Sequence, residues 1–399
     1  MHGTVGRSAL SLSLVLAGLL LPAAGRAANP PGDGEVLFGI SAPFSGTTRE
    51  YGRQLKVGFE VAFALANDAG GVAGRKLRLV ARDDGYDPPR TVAAVKELVE
   101  NEKVFGLVGV FGSANSAAVL PYVLERQVPY FAPYSGAGLL RNDPPDRYVF
   151  NYRPSYAEEA AAAVRYLVEV RRLRPNQIAV MHQDDPFGEA GWSGVAKVMR
   201  KYKRDPGQVV RVTYPRNTAD VDAAVATIRQ NAPRLKAVVM VAVYKPAYRF
   251  IEKLRAAGLD LVFTNVSAVS ATELAEQIVP LGPSYTKDVL VTQIVPLPTS
   301  RATALLRYQE ALKKYAPAER PDFVSLEAYL AGSVLVEGLK RAGRKLDAEA
   351  FVDALEGIRN LDLGIGVPLG FGPSEHQASR KVWGTVLEPG GGWKAIDLE

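Results

Sequence analysis

Val36-Leu37-Phe38-Gly39-Ile40-Ser41 is an apolar run of strand length, and Tyr51 to Asn67 behind it has helical periodicity. Leu55, Phe59 and Phe63 recur every four residues until Gly70-Gly71 stops the pattern. Aromatic side chains at that spacing form the buried face of a helix, and glycine just past the last periodic residue is a helix stop. The pairing repeats, with Lys76 to Arg82 before Pro88 to Glu102 and Phe105 to Val110 before Ala114 to Arg126. Strands alternating with helices predict a parallel sheet covered on both faces.

After residue 153 the alternation restarts: helix over Ala157 to Leu173, strand Gln177 to His182, helix Gly188 to Tyr202, strand Val209 to Tyr214, helix Val221 to Gln230, strand Ala237 to Val243, helix Pro246 to Ala257. Pro175, Pro206, Pro233 and Gly258 punctuate the joints. Beyond Pro296-Leu297-Pro298 the pattern is mainly helical, through Thr303 to Tyr315 and Leu326 to Arg341, and short glycine-rich strands finish the chain. Two similar α/β lobes are predicted, which suits a chain of 399 residues with 47% apolar content.

At the other end, Arg7, the apolar run Ala9 to Leu21 and the small-residue segment Pro22 to Ala28 have the layout of a secretory signal peptide. Gly25 and Ala27 stand at the −3 and −1 positions, so cleavage is expected after Ala27. The apolar run is shorter than the ~20 residues a bilayer span needs, and the most apolar internal segment, Ala237 to Val243, is strand-sized. No stable membrane insertion is therefore expected. The cysteine count is zero, which removes disulfides, thiolate chemistry and a lipid-carrying cysteine. The expected compartment is the periplasm.

Net charge is +6, or +4 once Arg7 and Arg26 leave with the signal. The excess is spread over the predicted helices, which reads as a solvated surface and not a nucleic-acid footprint, with a mild bias toward an anionic ligand. Histidines are confined to His2, His182 and His376, so no histidine cluster can form a metal site, and a histidine-based triad would have to use one of two isolated residues. P-loop, nucleophile-elbow and dinucleotide fingerprints are absent. No cofactor is expected. Carboxylates pair at Asp83-Asp84, Glu158-Glu159 and Asp184-Asp185, where capping and loop hydrogen bonds are the simpler reading beside a hydrolase site.

Three segments stand out together: Phe38 to Gly46 running into Tyr51-Gly52; Asn67 to Leu77 followed by Asp83-Asp84 and Tyr86-Asp87-Pro88; and Val108-Gly109 with Gly112-Ser113, Val128-Pro129 and Ala132-Pro133, with Arg255 to Leu259 fitting as well. In this order and spacing they resemble the leucine/isoleucine/valine-binding protein family, the type I periplasmic binding proteins of ABC importers. The resemblance implies two Rossmann-like lobes with parallel sheets joined by a three-strand hinge, crossing near Asn151 to Pro154, Gln293 to Pro296 and Arg380 to Gly384. Lobe one would be 28–152 plus 294–381, and lobe two 153–293 plus 382–399.

It also implies a non-enzymatic clamp that closes on a small molecule, a monomer partnered by a membrane permease, or a sensor subunit built on the same clamp. In amino-acid-binding members a serine and the amides of a small-residue loop hold the ligand carboxylate. Ser113, with Ala114 beside it, and Tyr134-Ser135-Gly136-Ala137 match those positions, and Ser113 also reads as a helix N-cap. Tyr51, Tyr156, Phe187 and Tyr244 complete an aromatic-lined cleft. The family glutamate for the α-ammonium is replaced by Ser267, a second acidic position by Tyr156, and a hydroxyl-bearing position by Gly136. The expected ligand is therefore a carboxylate or amide lacking a free α-amine, unless Asp184, Asp185 or Glu158 reaches the cleft.

Overall fold

A computed structural model describes residues 1–3, 29–32 and 34–399. Apart from residues 1–3, the predicted leader and its cleavage point lie outside the described residues.

The chain opens with β1 (Glu35–Ala42), α1 (Arg49–Asp68), β2 (Lys76–Asp83), α2 (Pro88–Glu100), β3 (Gly106–Val108), α3 (Ser113–Glu125), β4 (Tyr130–Phe131) and β5 (Val149–Phe150). These strands form a wholly parallel sheet in the order β2-β1-β3-β4-β5. α4 (Tyr156–Arg165), β6 (Ile178–Gln183), α5 (Pro186–Lys201), β7 (Arg211–Tyr214), α6 (Asp222–Asn231), β8 (Ala237–Val241), α7 (Tyr244–Ala256), β9 (Val262–Asn265), α8 (Ala271–Ile278), α9 (Pro283–Thr286) and β10 (Val289–Gln293) follow. The chain then adds α10 (Thr303–Tyr315), α11 (Phe323–Ala342), α12 (Ala348–Glu356), β11 (Trp383–Leu387) and β12 (Trp393–Ile396). The second sheet runs β12-β11-β10-β9-β8-β6-β7, parallel except where β11 turns antiparallel to β10 and β12 to β11.

α10, α11 and α12 return to the first sheet's side, where α11 lies along α1. The approach is close because Gly58 has no side chain: a Cβ there would come 2.2 Å from the Ser325 carbonyl oxygen. The chain thus passes between the sheets three times, before α4, after β10 and before β11. Two of these passages run side by side, with the Asn151 amide donating to the His376 carbonyl at 2.7 Å and the Ala378 amide to the Asn151 carbonyl at 2.8 Å.

Several boundaries differ from the sequence reading for local reasons. The strand expected over Phe105 to Val110 is confined to β3, since Gly109 adopts a left-handed φ of 60° and turns the chain out of the sheet. The helix expected over Ala157 to Leu173 is α4 followed by one wider helical turn, Tyr166–Val170. Strands β4 and β5, two residues each, are too short to display a period, and α12 was hidden among the expected terminal strands.

Candidate functional site

Parallel strands bring their carboxyl-terminal loops to one end of each sheet, the usual place for a ligand in open α/β folds. Here the two loop sets face and touch each other. Tyr51 Oη donates to the Ala268 carbonyl at 2.7 Å, Tyr244 Oη to the Thr47 carbonyl at 2.6 Å, Gln183 Nε2 to Tyr86 Oη at 2.8 Å, and Asn217 Nδ2 to the Tyr86 carbonyl at 3.2 Å. The lobes meet, and between them lies a cavity of about 10 Å³ lined by Tyr86, Phe111, Gly112, Ser113, Tyr134, Tyr156, Phe187, Val243 and Ala268.

Four of the expected ligand residues, Ser113, Tyr134, Tyr156 and Phe187, stand on this wall. Ser113 is the first residue of α3, with Gly112 at φ 97° ahead of it, so its hydroxyl does not cap the helix as expected. It lies 2.9 Å from the Ser135 hydroxyl, whose oxygen accepts the Ala137 amide at 3.2 Å. Tyr134 stacks on Phe111 with centroids 5.5 Å apart, and Tyr156 meets Phe187 edge-on at 4.8 Å.

Tyr51 and Tyr244 lie beside the cavity with their hydroxyls committed to the opposite lobe, so they latch the lobes together. Ala114, Ser135, Gly136 and Ser267 are also off its wall. Tyr86, Phe111, Val243 and Ala268 were not anticipated; the Tyr86-Asp87-Pro88 motif was the available signal for the first. The buried Asp84 carboxylate accepts from Ser41, Thr91 and the Tyr86 amide, and so shapes the turn in which Tyr86 takes a left-handed φ of 62°.

Two sequence departures are explained by their neighbours. A Cβ on Gly136 would fall 2.5 Å from the Tyr156 nitrogen and 2.7 Å from its ring, so the tyrosine at 156 leaves no room for a side chain at 136. Ser267 is likewise not without a carboxylate. Glu159 accepts from the Ser267 amide at 2.7 Å, the Ser267 hydroxyl at 3.0 Å and the Thr292 hydroxyl at 2.7 Å. The acid that reaches this place is Glu159, not Asp184, Asp185 or Glu158.

The Glu158-Glu159 pair, read as surface capping, splits because successive helical residues point about 100° apart. Glu158 closes a capping box with Ser155, while Glu159 turns fully inward, where burial raises its pKa against the nearby Arg153 charge. Asp185 caps α5 and also accepts from Gln183. His182 is structural, hydrogen-bonded to the Gln183 carbonyl and receiving Nε of Arg211 at 2.7 Å.

The strongest electrostatic feature of the site carries no sequence motif. Arg153, 0% exposed at the first passage between lobes, donates Nε to Glu327 Oε1 at 2.8 Å and Nη2 to Oε2 at 2.6 Å. Its guanidinium lies 4.1 Å from the Tyr134 ring centroid, and Nη1 reaches Tyr156 Oη at 3.3 Å. Burial disfavours the cation, but Glu327 overrides that and holds its pKa well above normal. The only hint was Glu327 itself, a lone acid in the apolar run of α11.

Arg141 ties the same region together, donating to the Ser135, Ala137 and Arg153 carbonyls at 3.3, 2.9 and 2.9 Å and to Gln377 Oε1 at 2.7 Å. Burial and the Arg153 charge bring its pKa down to about 10, so it remains a cation at neutral pH.

Two parallel-sheet lobes, three passages between them and a cavity walled by both are the architecture of a type I periplasmic binding protein. The chain belongs to the leucine/isoleucine/valine-binding protein family: the family profile described as "Periplasmic binding protein" matches residues 35–392. It is similar to a "possible leucine/isoleucine/valine-binding protein" of Rhodopirellula baltica, with 31% identity and a TM-score of 0.87, covering 93% of this chain and 98% of that one. A "Leu/Ile/Val-binding protein homolog 7" of Brucella abortus is 26% identical over 84% of each chain, and an "Amino acid binding protein" of Pseudomonas aeruginosa is 27% identical over 65% of this chain and 67% of its own. Among the described residues, no helix is long and apolar enough to cross a membrane.

Removing one partner of a buried ion pair strands the other charge. Glu327→Gln is expected to lower unfolding stability by about 3–5 kcal/mol, read as a urea midpoint. Arg153→Met combined with Glu327→Leu should recover most of that loss; a double variant as unstable as the single would contradict the account.

A second expectation concerns pH. At the edge of the closed cleft Glu273 of α8 faces Glu50 and Arg53 of α1 and Asp322 ahead of α11, with Glu276 on its own helix. Burial, then the charges of Glu276, Glu50 and Asp322, push its pKa up to about 7. Glu276 acts on Glu273 from the same helix whether or not the lobes meet, whereas Glu50 acts from the facing α1; to the extent that this contact raises the pKa, closing takes up a proton, so the closed form is favoured at lower pH and loses that support as pH rises through about 7. Solution scattering between about pH 5.5 and 8.5 should show the lobes separating more at the alkaline end, and Glu273→Gln should flatten the response.

Proposed function

We propose that the chain is the substrate-binding component of an ABC-type importer, a non-catalytic clamp of the periplasm that is exported with cleavage after Ala27, acts as a monomer and delivers a small organic ligand to a membrane permease. Lobe one then comprises 28–152 plus 294–381, and lobe two 153–293 plus 382–399. The observation that carries this reading is the cavity walled by both lobes, with Ser113, Tyr86 and Tyr134 from one side and Phe187 and Val243 from the other. A molecule held there touches both lobes only when they close, which makes closure the response to binding.

The charge pattern supports a carboxylate or amide lacking a free α-amine. Ser135 already accepts the Ala137 amide, so its proton can go to Ser113, which leaves the Ser113 hydroxyl free to donate to an acceptor-rich end of the ligand. Glu159 restores negative charge to lobe two, but its oxygens hold Ser267 and Thr292, and an ammonium would have to displace those donors. The rings of Tyr134, Tyr156 and Phe187 add flat apolar faces for the rest of the molecule.

Calorimetry with leucine, valine and the matching acids and amides without the amine tests the ligand class. The amine-free compounds should bind, with a smaller radius of gyration in scattering, and Ser113→Ala should weaken binding by about 1–3 kcal/mol. Micromolar binding of leucine with the amine-free acids inert would overturn the ligand class and assign Glu159 to the ammonium. Binding with an unchanged radius of gyration would overturn the clamp.

A further inference from the structure

The second sheet gathers positive charge that looks dispersed along the sequence. β8, β6 and β7 are parallel neighbours, so the segments entering them lie side by side at the end of the sheet opposite the cleft. The Lys236 amide donates to the Gln177 carbonyl at 2.8 Å, and the Val180 amide to the Val210 carbonyl at 2.8 Å, which places the entries to β8 and β7 one strand spacing to either side of the entry to β6. Each carries two exposed cations: Arg172 and Arg174 before β6, Lys203 and Arg204 before β7, Arg234 and Lys236 before β8. Among the described residues none of the six is paired with a carboxylate, whereas neighbouring Arg171 is, with Asp288 at 3.0 Å. The acid within these segments, Asp205, turns back to the Gly207 amide at 2.9 Å.

The matching end of the first lobe is mixed: Arg126 stands 3.5 Å from Glu100 and Arg147 is tied to Glu349 and Asp353, while Lys76 and Lys103 are exposed without a carboxylate partner among the described residues. That end of the first lobe therefore serves as the internal comparison for the six cations of lobe two.

We propose that this basic end of lobe two docks peripherally on an anionic phospholipid surface, leaving the cleft at the opposite ends of the same strands open to solvent. A protein partner needs an apolar, desolvated centre to its interface, and these segments offer only long solvated cations around the partly exposed Val170. Single-stranded nucleic acid would call for exposed stacking rings along the basic groove, and the ring beside the patch, Tyr202, is half-buried and hydrogen-bonded through its hydroxyl to Glu169. A layer of charged headgroups needs neither, because it is met by closely spaced cations acting within a Debye length.

Residues 28–399, which contain every element of the fold, should sediment with vesicles of phosphatidylcholine containing about 30% phosphatidylglycerol at about 20 mM salt, not with pure phosphatidylcholine, and should dissociate at about 300 mM. Reversing four charges, Arg172→Glu, Arg174→Glu, Lys203→Glu and Arg204→Glu, should reduce binding at least about tenfold; Arg234→Gln with Lys236→Gln provides a milder set should the first fail to fold. Arg75→Glu with Lys103→Glu on lobe one should leave binding intact. No binding at low salt, equal loss from the lobe-one pair, or tighter capture by duplex DNA than by the anionic vesicles overturns the proposal.

Discussion

A guanidinium sealed from water has to be met in full by the protein, and the site is arranged around how Arg153 is met. Glu327 takes two of its nitrogens from lobe one, Tyr156 receives a third, and Tyr134 lies flat against its face. Because Arg153 sits where the chain first leaves one sheet for the other, this one side chain fixes a passage between lobes and two rings of the cavity wall together. A buried pair of this kind contributes little net stability against an apolar replacement; what it gives is a unique arrangement, since every other placement of the two charges leaves one unpaired. Arg141 extends the same frame by holding the carbonyls of the Ser135–Ala137 loop and of Arg153, with Gln377 from a neighbouring passage.

The legible part of the sequence was the part governed by short-range repetition. Periodic Leu55, Phe59 and Phe63 give α1, the run 237–243 gives β8, and the alternation of such segments gives two parallel-sheet lobes. Ser113 and the Tyr134 loop could be placed through the resemblance to family positions, and their location beyond the carboxyl ends of β3 and β4 agrees with where cleft residues accumulate. Their hydrogen-bond roles could not, since these depend on Gly112 taking the turn position and on Ser135 arriving from another loop.

What escaped notice depends on pairs distant in the chain. Ser267 in isolation reads as a lost carboxylate, and only the packing of α4 beneath the loop after β9 shows Glu159 filling the place. Gly136 in isolation reads as a lost hydroxyl, and only the Tyr156 ring shows why nothing larger fits. The same holds for charge: Arg172, Lys203 and Arg234 are strangers along the sequence and become neighbours through the order β8-β6-β7. Substitutions that look like independent departures from a family pattern are in this protein compensated by their contacts.

Closure itself is a balance of terms already present in the protein. The hydroxyls of Tyr51 and Tyr244 and the amides of Gln183 and Asn217 bridge the lobes directly, and all of these favour the closed form. Opposing them, closure brings Glu273 against Glu50 and Asp322 and confines five rings around a cavity of about 10 Å³. A ligand larger than that cavity can enter only by moving those rings, so part of its contact energy goes into repacking Tyr134, Tyr156 and Phe187. A clamp whose latches were stronger would close empty and bind nothing, and one without them would ask the ligand alone to drive closure. Like charges at the cleft edge oppose the latches, so the two together set how much of the closing free energy a ligand has to supply.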